Sequence, residues 1–222
     1  MLADAALVAR KDLTLELRSR IGVNQILPLA VLVLVVFAFA FDANTRLLDV
    51  AAPGLYWVAV LFAGLLVVQR AFTIEGADGI HDALRLSGLH PGGIFLGKLL
   101  AVTAQLLVLE AVLLAGVILF FDVAVVDVPL LVLAALAGTI AFAAAGVIYG
   151  VLSIGVRIRE TLLPLLAVPV VAPVLLAATR AFEPALDVTV ASGWNWVGLL
   201  LVVAAVYVAI GLVSFGPLLE DG

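Results

Sequence analysis

The sequence predicts an all-α membrane protein with six transmembrane helices, an N-terminal amphipathic interfacial helix, and a short cytoplasmic helix between spans 2 and 3. Three observations predict it. Of 222 residues, 66% are hydrophobic and only 12% charged, too few charges to cover a soluble domain of this size. Apolar runs of roughly 16–25 residues recur along the whole chain, and about 20 helical residues cross a bilayer core. The alternating segments of about 10 residues that a membrane barrel needs are missing. The chain therefore reads as one polytopic domain over 1–222: a cytoplasmic amphipathic segment at 1–23, a six-helix membrane domain at 26–215 and a short cytoplasmic tail at 216–222.

The N-terminal segment, DAALVARKDLTLELRSR at 4–20, repeats at helical spacing through Leu7, Val8, Lys11, Leu15 and Arg18. Leu13 and Leu17 broaden its apolar side, which suits a helix lying in the inner headgroup plane. The plainer alternative is a cytoplasmic extension of the first span. Asp4, Asp12 and Glu16 are unlike a signal-peptide leader, although AFA at 38–40 mimics a cleavage site.

The spans themselves are read at 26–41, 51–68, 94–121, 129–154, 161–179 and 194–215. Basic residues orient them. Arg10, Lys11, Arg18, Arg20, Arg70, Arg85, Lys98, Arg157 and Arg159 fall on one side, and only Arg46 and Arg180 on the other. Both termini are then cytoplasmic. Tyr56 and Trp57 open the second span, and Trp194 and Trp196 the sixth, from outside, where rings of this kind sit at headgroup level. Contact of the WNW at 194–196 with a flat aromatic ligand is the minority reading.

The fourth span carries Ala134, Gly138, Ala141, Ala145, Gly146 and Gly150. Its GxxxG allows close helix contact, within the subunit or at a seam between copies. The fifth carries Pro164, Pro169 and Pro173, each removing a backbone donor, although prolines are also simply tolerated in membrane helices.

Candidate chemistry is sparse. There is no Cys, hence no disulfide, thiolate nucleophile or Cys-ligated metal. The formal net charge of −5 argues against nucleic acid. GGIFLGKL at 92–99 satisfies G-x4-G-K, but Leu99 stands where a phosphate-binding loop needs Ser or Thr. Its glycines are read as letting the chain turn into the membrane, with Lys98 reaching back to the headgroups. His81 and His90 lack metal-ligand spacing and are read as surface residues. No triad, metal cluster or carboxylate pair emerges, so no catalytic residue or metal site is assigned and the chain is read as a non-catalytic membrane subunit. Glu110 is the single acid well inside a span, where an ionised carboxylate is costly. It is neutral, paired or facing a wet cavity. It is kept with Trp57, Trp194 and Trp196 as a candidate for translocation or gating.

The longest polar interruption is EGADGIHDALRLSGLHP at 75–91. Asp78 can cap a short helix, and Gly88 can end it, with Pro91 just beyond. Ile80, Ala83, Leu84 and Ser87 share one face. Such a helix could dock in a groove on a cytoplasmic partner, as a coupling helix does, or pack on its own bundle.

Residues 52–101 resemble the signature region of the haem exporter permease of cytochrome c maturation, the CcmB family. The pattern lies in Ala52, Pro53, Gly54, Trp57, Arg70, Phe72, Glu75, Asp78, Gly79, Leu84, Leu86, Pro91 and Lys98. ELRSR at 16–20 and the Pro169/Pro173 pair are also similar. Thr73 and Ile74 depart from the more acidic step usual after the Phe, and Glu110 matches no family feature. The resemblance implies a six-span permease of the type-2 ABC exporter group in the cell inner membrane, with a separate cytoplasmic ATPase, a second permease copy, a haem-handling membrane protein and a haem chaperone as partners. The coupling residues would be Asp78, Ile80, Leu84, Arg85 and Leu86. No cofactor is expected to bind tightly to this chain. The expected outer face has no His or Cys, so haem would find its axial ligands on partners. A permease of another type-2 exporter, for drugs or lipids, shares this fold. A channel or secondary transporter is the other rival.

Overall fold

A computed structural model describes residues 1–41, 45–73, 88–152 and 159–221. Among these residues the regular structure is seven α-helices and one π-helical turn, with no strand. They are α1 (Leu2–Ser19), the π-turn Gly22–Ile26, α2 (Leu27–Ala40), α3 (Thr45–Thr73), α4 (Pro91–Phe121), α5 (Val128–Leu152), α6 (Arg159–Ala185) and α7 (Trp194–Asp221). Helices α3 to α7 are each long and apolar enough to cross a bilayer. Helix α2 has 14 residues and alone reaches only about 21 Å of a roughly 30 Å core. It follows α1 through a 55° bend, and the two taken together bring the possible spans to six. Helix α7 runs on to Asp221 through most of the expected tail.

Local chemistry sets several boundaries. Pro91 occupies the first turn of α4, where its missing N–H costs nothing. His90 caps that turn, its Nδ1 accepting from the Gly92 N–H at 3.1 Å. Asp122, at φ 56, ends α4 in the left-handed conformation. Asp127 Oδ1 accepts from the Leu130 N–H at 3.0 Å and so caps α5. The intervening strip is stitched to the end of α6, the Val126 N–H donating to the Ala185 carbonyl at 2.9 Å. Helix α6 continues through Pro164, Pro169, Pro173 and Pro184.

The small residues of α5 explain the packing. Two-thirds of its apolar stretch is buried, against about a fifth for α7, so α5 is central and α7 peripheral. Helix α3 runs parallel to α5 in a groove that glycines open. A Cβ on Gly138 would lie 2.8 Å from Trp57, and one on Gly146 would lie 2.7 Å from Val68. Gly150 faces the ring of Phe72, and Gly64 of α3 returns the favour to Phe142. The GxxxG of the fourth span is thus consumed inside the subunit. Antiparallel α4 and α7 meet at one end of the bundle, where Phe95 packs on Gly211 and on Phe215, 5.6 Å between ring centroids.

That same end carries α1, and the structure corrects the sequence reading there. Ala5, Val8 and Ala9 are buried against α4, whereas Leu2, Leu7, Leu15 and Leu17 are exposed. Val8 therefore belongs to the bundle-facing side of the helix, not to its outer apolar side. Gly93 and Gly97 make room for the contact. A Cβ on Gly97 would lie 2.6 Å from Val8 Cβ and 2.7 Å from the Ala5 carbonyl oxygen, and one on Gly93 would lie 2.8 Å from Asp4 Cβ. These glycines seat α1; they do not turn the chain, because 92–97 is already helical.

Candidate functional site

Two constellations stand out. The first frames the segment 74–87. Residues Asp78, Ile80, Leu84, Arg85 and Leu86, and with them His81, lie outside the described residues. Gly88, which is described, has φ 70, the left-handed conformation of a helix-ending glycine. The helices on either side, α3 and α4, are both tied to α1. Arg70 near the end of α3 donates through Nε to Glu16 Oε2 at 3.0 Å. The other oxygen of Glu16 accepts from the Gly22 N–H at 2.6 Å, fixing the turn that leaves α1. Lys98 of α4 reaches Asp12 Oδ2 at 3.4 Å, and its ammonium sits 4.8 Å from the centroid of the Phe72 ring.

Lys98 was expected to extend to the headgroups. It is instead 1% exposed, because α1 closes over it and supplies a carboxylate. Sequence reasoning missed Asp12 as its counterpart and Glu16 as that of Arg70. The signal was available: the two acids are four residues apart on the same face as Ala5, Val8 and Ala9. Acids on the bundle-facing side of an amphipathic helix need cationic partners.

The second constellation is buried among α3, α4, α5 and α6. Glu110 Oε1 lies 2.6 Å from Thr139 Oγ1, which in turn lies 2.7 Å from the Ala135 carbonyl oxygen. The single hydroxyl proton of Thr139 can serve only one of these. A neutral Glu110 donating to Thr139, with Thr139 donating to Ala135, satisfies both contacts. Tyr56 O–H donates to the Glu110 main-chain carbonyl at 3.4 Å. Tyr56 stacks on Phe182 at 5.0 Å, and Trp57 meets Phe182 edge-on at 5.2 Å. Trp57 also packs on Gly138, the residue before Thr139. Tyr56 and Trp57 are therefore core residues, not headgroup anchors, because α3 begins six residues earlier than the expected span and carries them inward.

Two atoms of this cluster, Glu110 Oε2 and Trp57 Nε1, have no hydrogen-bond partner among the described residues. The structure thus brings Glu110 and Trp57 into one buried group. Trp194 and Trp196 are exposed at the start of α7, apart from it, as rings at a membrane interface would be. Among the described residues no three His, Cys, Asp or Glu side chains stand together as metal ligands. His90 is exposed and engaged in capping.

A family model described as CcmB protein matches residues 3–218. Relatives named Heme exporter protein B are similar over most of their length. That of Haemophilus influenzae is 30% identical over 181 residues, 80% of each chain. That of Pseudomonas aeruginosa is 32% identical over 166 residues, 73% of each. That of Paracoccus denitrificans is 30% identical over 174 residues, 77% of this chain and 78% of the relative.

Proposed function

The chain belongs to the CcmB family, and from that premise we propose that it is the membrane permease subunit of an ABC exporter complex serving cytochrome c maturation. It couples ATP hydrolysis by a separate cytoplasmic ATPase to haem export or to release of the haem-loaded chaperone outside. The family match, which runs almost the full length of the chain, carries this reading. The subunit sits in the inner membrane as six spans with both termini cytoplasmic, α2 and its π-turn serving as the first span. It works with a second copy of itself, a haem-handling membrane protein and the chaperone.

In this reading the segment from Asp78 to Gly88 is the coupling helix, with Ile80, Leu84 and Leu86 as its apolar contacts and Asp78 and Arg85 as its polar ones. The α1 clasp supports that assignment. A push delivered at 74–87 acts on the ends of α3 and α4, and both ends are held by one short helix through Glu16–Arg70 and Asp12–Lys98. The displacement therefore tilts α3 and α4 together. Both helices lead to the Glu110–Trp57 cluster, which serves as the gate, while Trp194 and Trp196 hold α7 at the outer surface.

Co-purification with the cognate ATPase tests the coupling assignment. Leu84→Asp should abolish association while the permease still inserts in the membrane. Association at the wild-type level would overturn it.

A further inference from the structure

Helix α1 sorts its charges by face. All three of its acids reach the bundle or its edge: Asp4 to the His90 N–H at 3.3 Å, Asp12 to Lys98, and Glu16 to Arg70; Asp12 also pairs with Lys11 and Asp4 with the N-terminal ammonium. Its arginines do the opposite. Arg10 and Arg18, with Arg20 at the C-cap, are exposed and make no ion pair among the described residues. With the acids spent internally, the outward surface of α1 is cationic.

The exposed surface also has an apolar stripe. Leu2, Ala6 and Leu17, with the half-buried Leu13, recur at spacings of four and seven, which places them on one line along the helix. Leu2 is 77% exposed and Leu17 is 78% exposed. Arg10 lies beside this stripe and Arg18 further round, with the exposed Leu7 between them; Lys11 beyond them is paired with Asp12. The helix therefore shows three surfaces in turn: an acid-bearing face closed on α3 and α4, an apolar stripe, and a basic arc. Helix α1 leads through a 55° bend into the apolar helix that follows it.

We propose that the outward surface of α1 is a binding site for anionic phospholipid. The stripe of Leu2, Leu13 and Leu17 enters the acyl boundary, and Arg10 and Arg18 hold the phosphate groups. A purely acidic protein partner would have no use for the leucine stripe, and a purely neutral lipid surface would have none for the arginines. The pairing of both surfaces on one helix selects a charged bilayer. Because Asp12 and Glu16 tie α1 to the ends of α3 and α4, lipid held there steadies the inner ends of two spans. This inference does not depend on what the permease carries.

The test uses the full chain in nanodiscs of phosphatidylcholine alone or with 30% phosphatidylglycerol. Thermal unfolding and tryptic cleavage after Arg10, Lys11 and Arg18 are followed in each. The wild type should unfold several degrees higher, and α1 should be cut more slowly, in the anionic discs; 0.5 M NaCl should erase both differences. Each basic residue near an anionic surface strengthens attraction roughly fivefold. Arg10→Gln/Arg18→Gln should therefore lose most of the anionic-lipid shift while unfolding like the wild type in phosphatidylcholine. Leu2→Ser/Leu17→Ser should lose it as well. An equal shift in the arginine variant, no shift in the wild type, or dependence of ATPase capture on Arg10 and Arg18 in lipid-free detergent would each overturn the proposal.

Discussion

Lys98 of α4 and Asp12 of α1 form an ion pair across 86 residues of sequence, and the lysine is almost wholly enclosed. Enclosure makes the pair consequential. Taking one partner from a buried pair costs about 3–5 kcal/mol, because the remaining charge is left in a poor dielectric, whereas exchanging both for apolar groups is often neutral. Asp12→Ala should lower the unfolding free energy of the detergent-solubilised protein by about 3 kcal/mol. Asp12→Ala/Lys98→Met should recover most of that loss. A double-mutant cycle with a coupling energy near zero would show that the pair contributes nothing.

The seat of α1 is tested separately from its charges. Gly97→Val places a branched side chain where Val8 Cβ and the Ala5 carbonyl already stand. Helix α1 should lift away, and trypsin should cut after Arg10, Lys11 and Arg18 several times faster than in the wild type. Gly198→Val is the control, since nothing lies within 4 Å of the added Cβ; it should leave the cleavage rate unchanged. Equal rates in the two variants would mean that the glycine groove does not hold α1.

These two contacts also mark where sequence reasoning succeeded and stopped. The helical class, most of the apolar spans and the close helix contact at Gly146 and Gly150 were legible, because each rests on composition or on spacing within one element; that this contact lies within the subunit is what the structure adds. Lys98 was misplaced because its partner lies in another helix, and no local pattern reports a contact at that separation. Tyr56 and Trp57 were misplaced for a different reason. Arg46 and Asp49 looked like loop residues, yet they lie in the first turns of α3, which pushes the two rings into the bundle. Glu110 was singled out correctly as an unusual buried acid, but Thr139 was hidden among the small residues of α5. Of the cap, apolar face and terminating glycine read at 78–88, only Gly88 falls within the described residues.

Glu110 distinguishes a neutral hydrogen-bond donor from a charge. In the arrangement around Thr139, a Gln side chain can donate to Thr139 Oγ1 as a neutral acid does. Glu110→Gln should therefore support cytochrome c assembly, in a strain lacking its own permease, at close to the wild-type level. Glu110→Ala should not, because it leaves a cavity and removes the hydrogen bond to Thr139, at a stability cost of about 2–4 kcal/mol. If Glu110→Gln fails as badly as Glu110→Ala while still inserting, an ionised carboxylate is required and the hydrogen-bond assignment is wrong.

The groove between α3 and α5 gives a prediction with a built-in suppressor. Gly146 meets Val68, whose Cγ2 would lie 2.7 Å from an added Cβ. Overpacking of this kind costs about 1–3 kcal/mol, because neighbouring side chains must leave their preferred rotamers. Gly146→Ala should lower stability within that range, and Val68→Ala alone should lower it through the cavity it leaves. Combined, the two should partly cancel, since the volume removed from α3 is returned from α5 at the same point. The parallel register of Trp57 on Gly138 and Phe72 on Gly150 holds the helices on either side, so the repair stays local. Thermal unfolding of the two single variants and the double variant measures this. Simple additivity would mean that α3 shifts as a whole to relieve the clash, and the register would then be softer than its three glycine contacts imply.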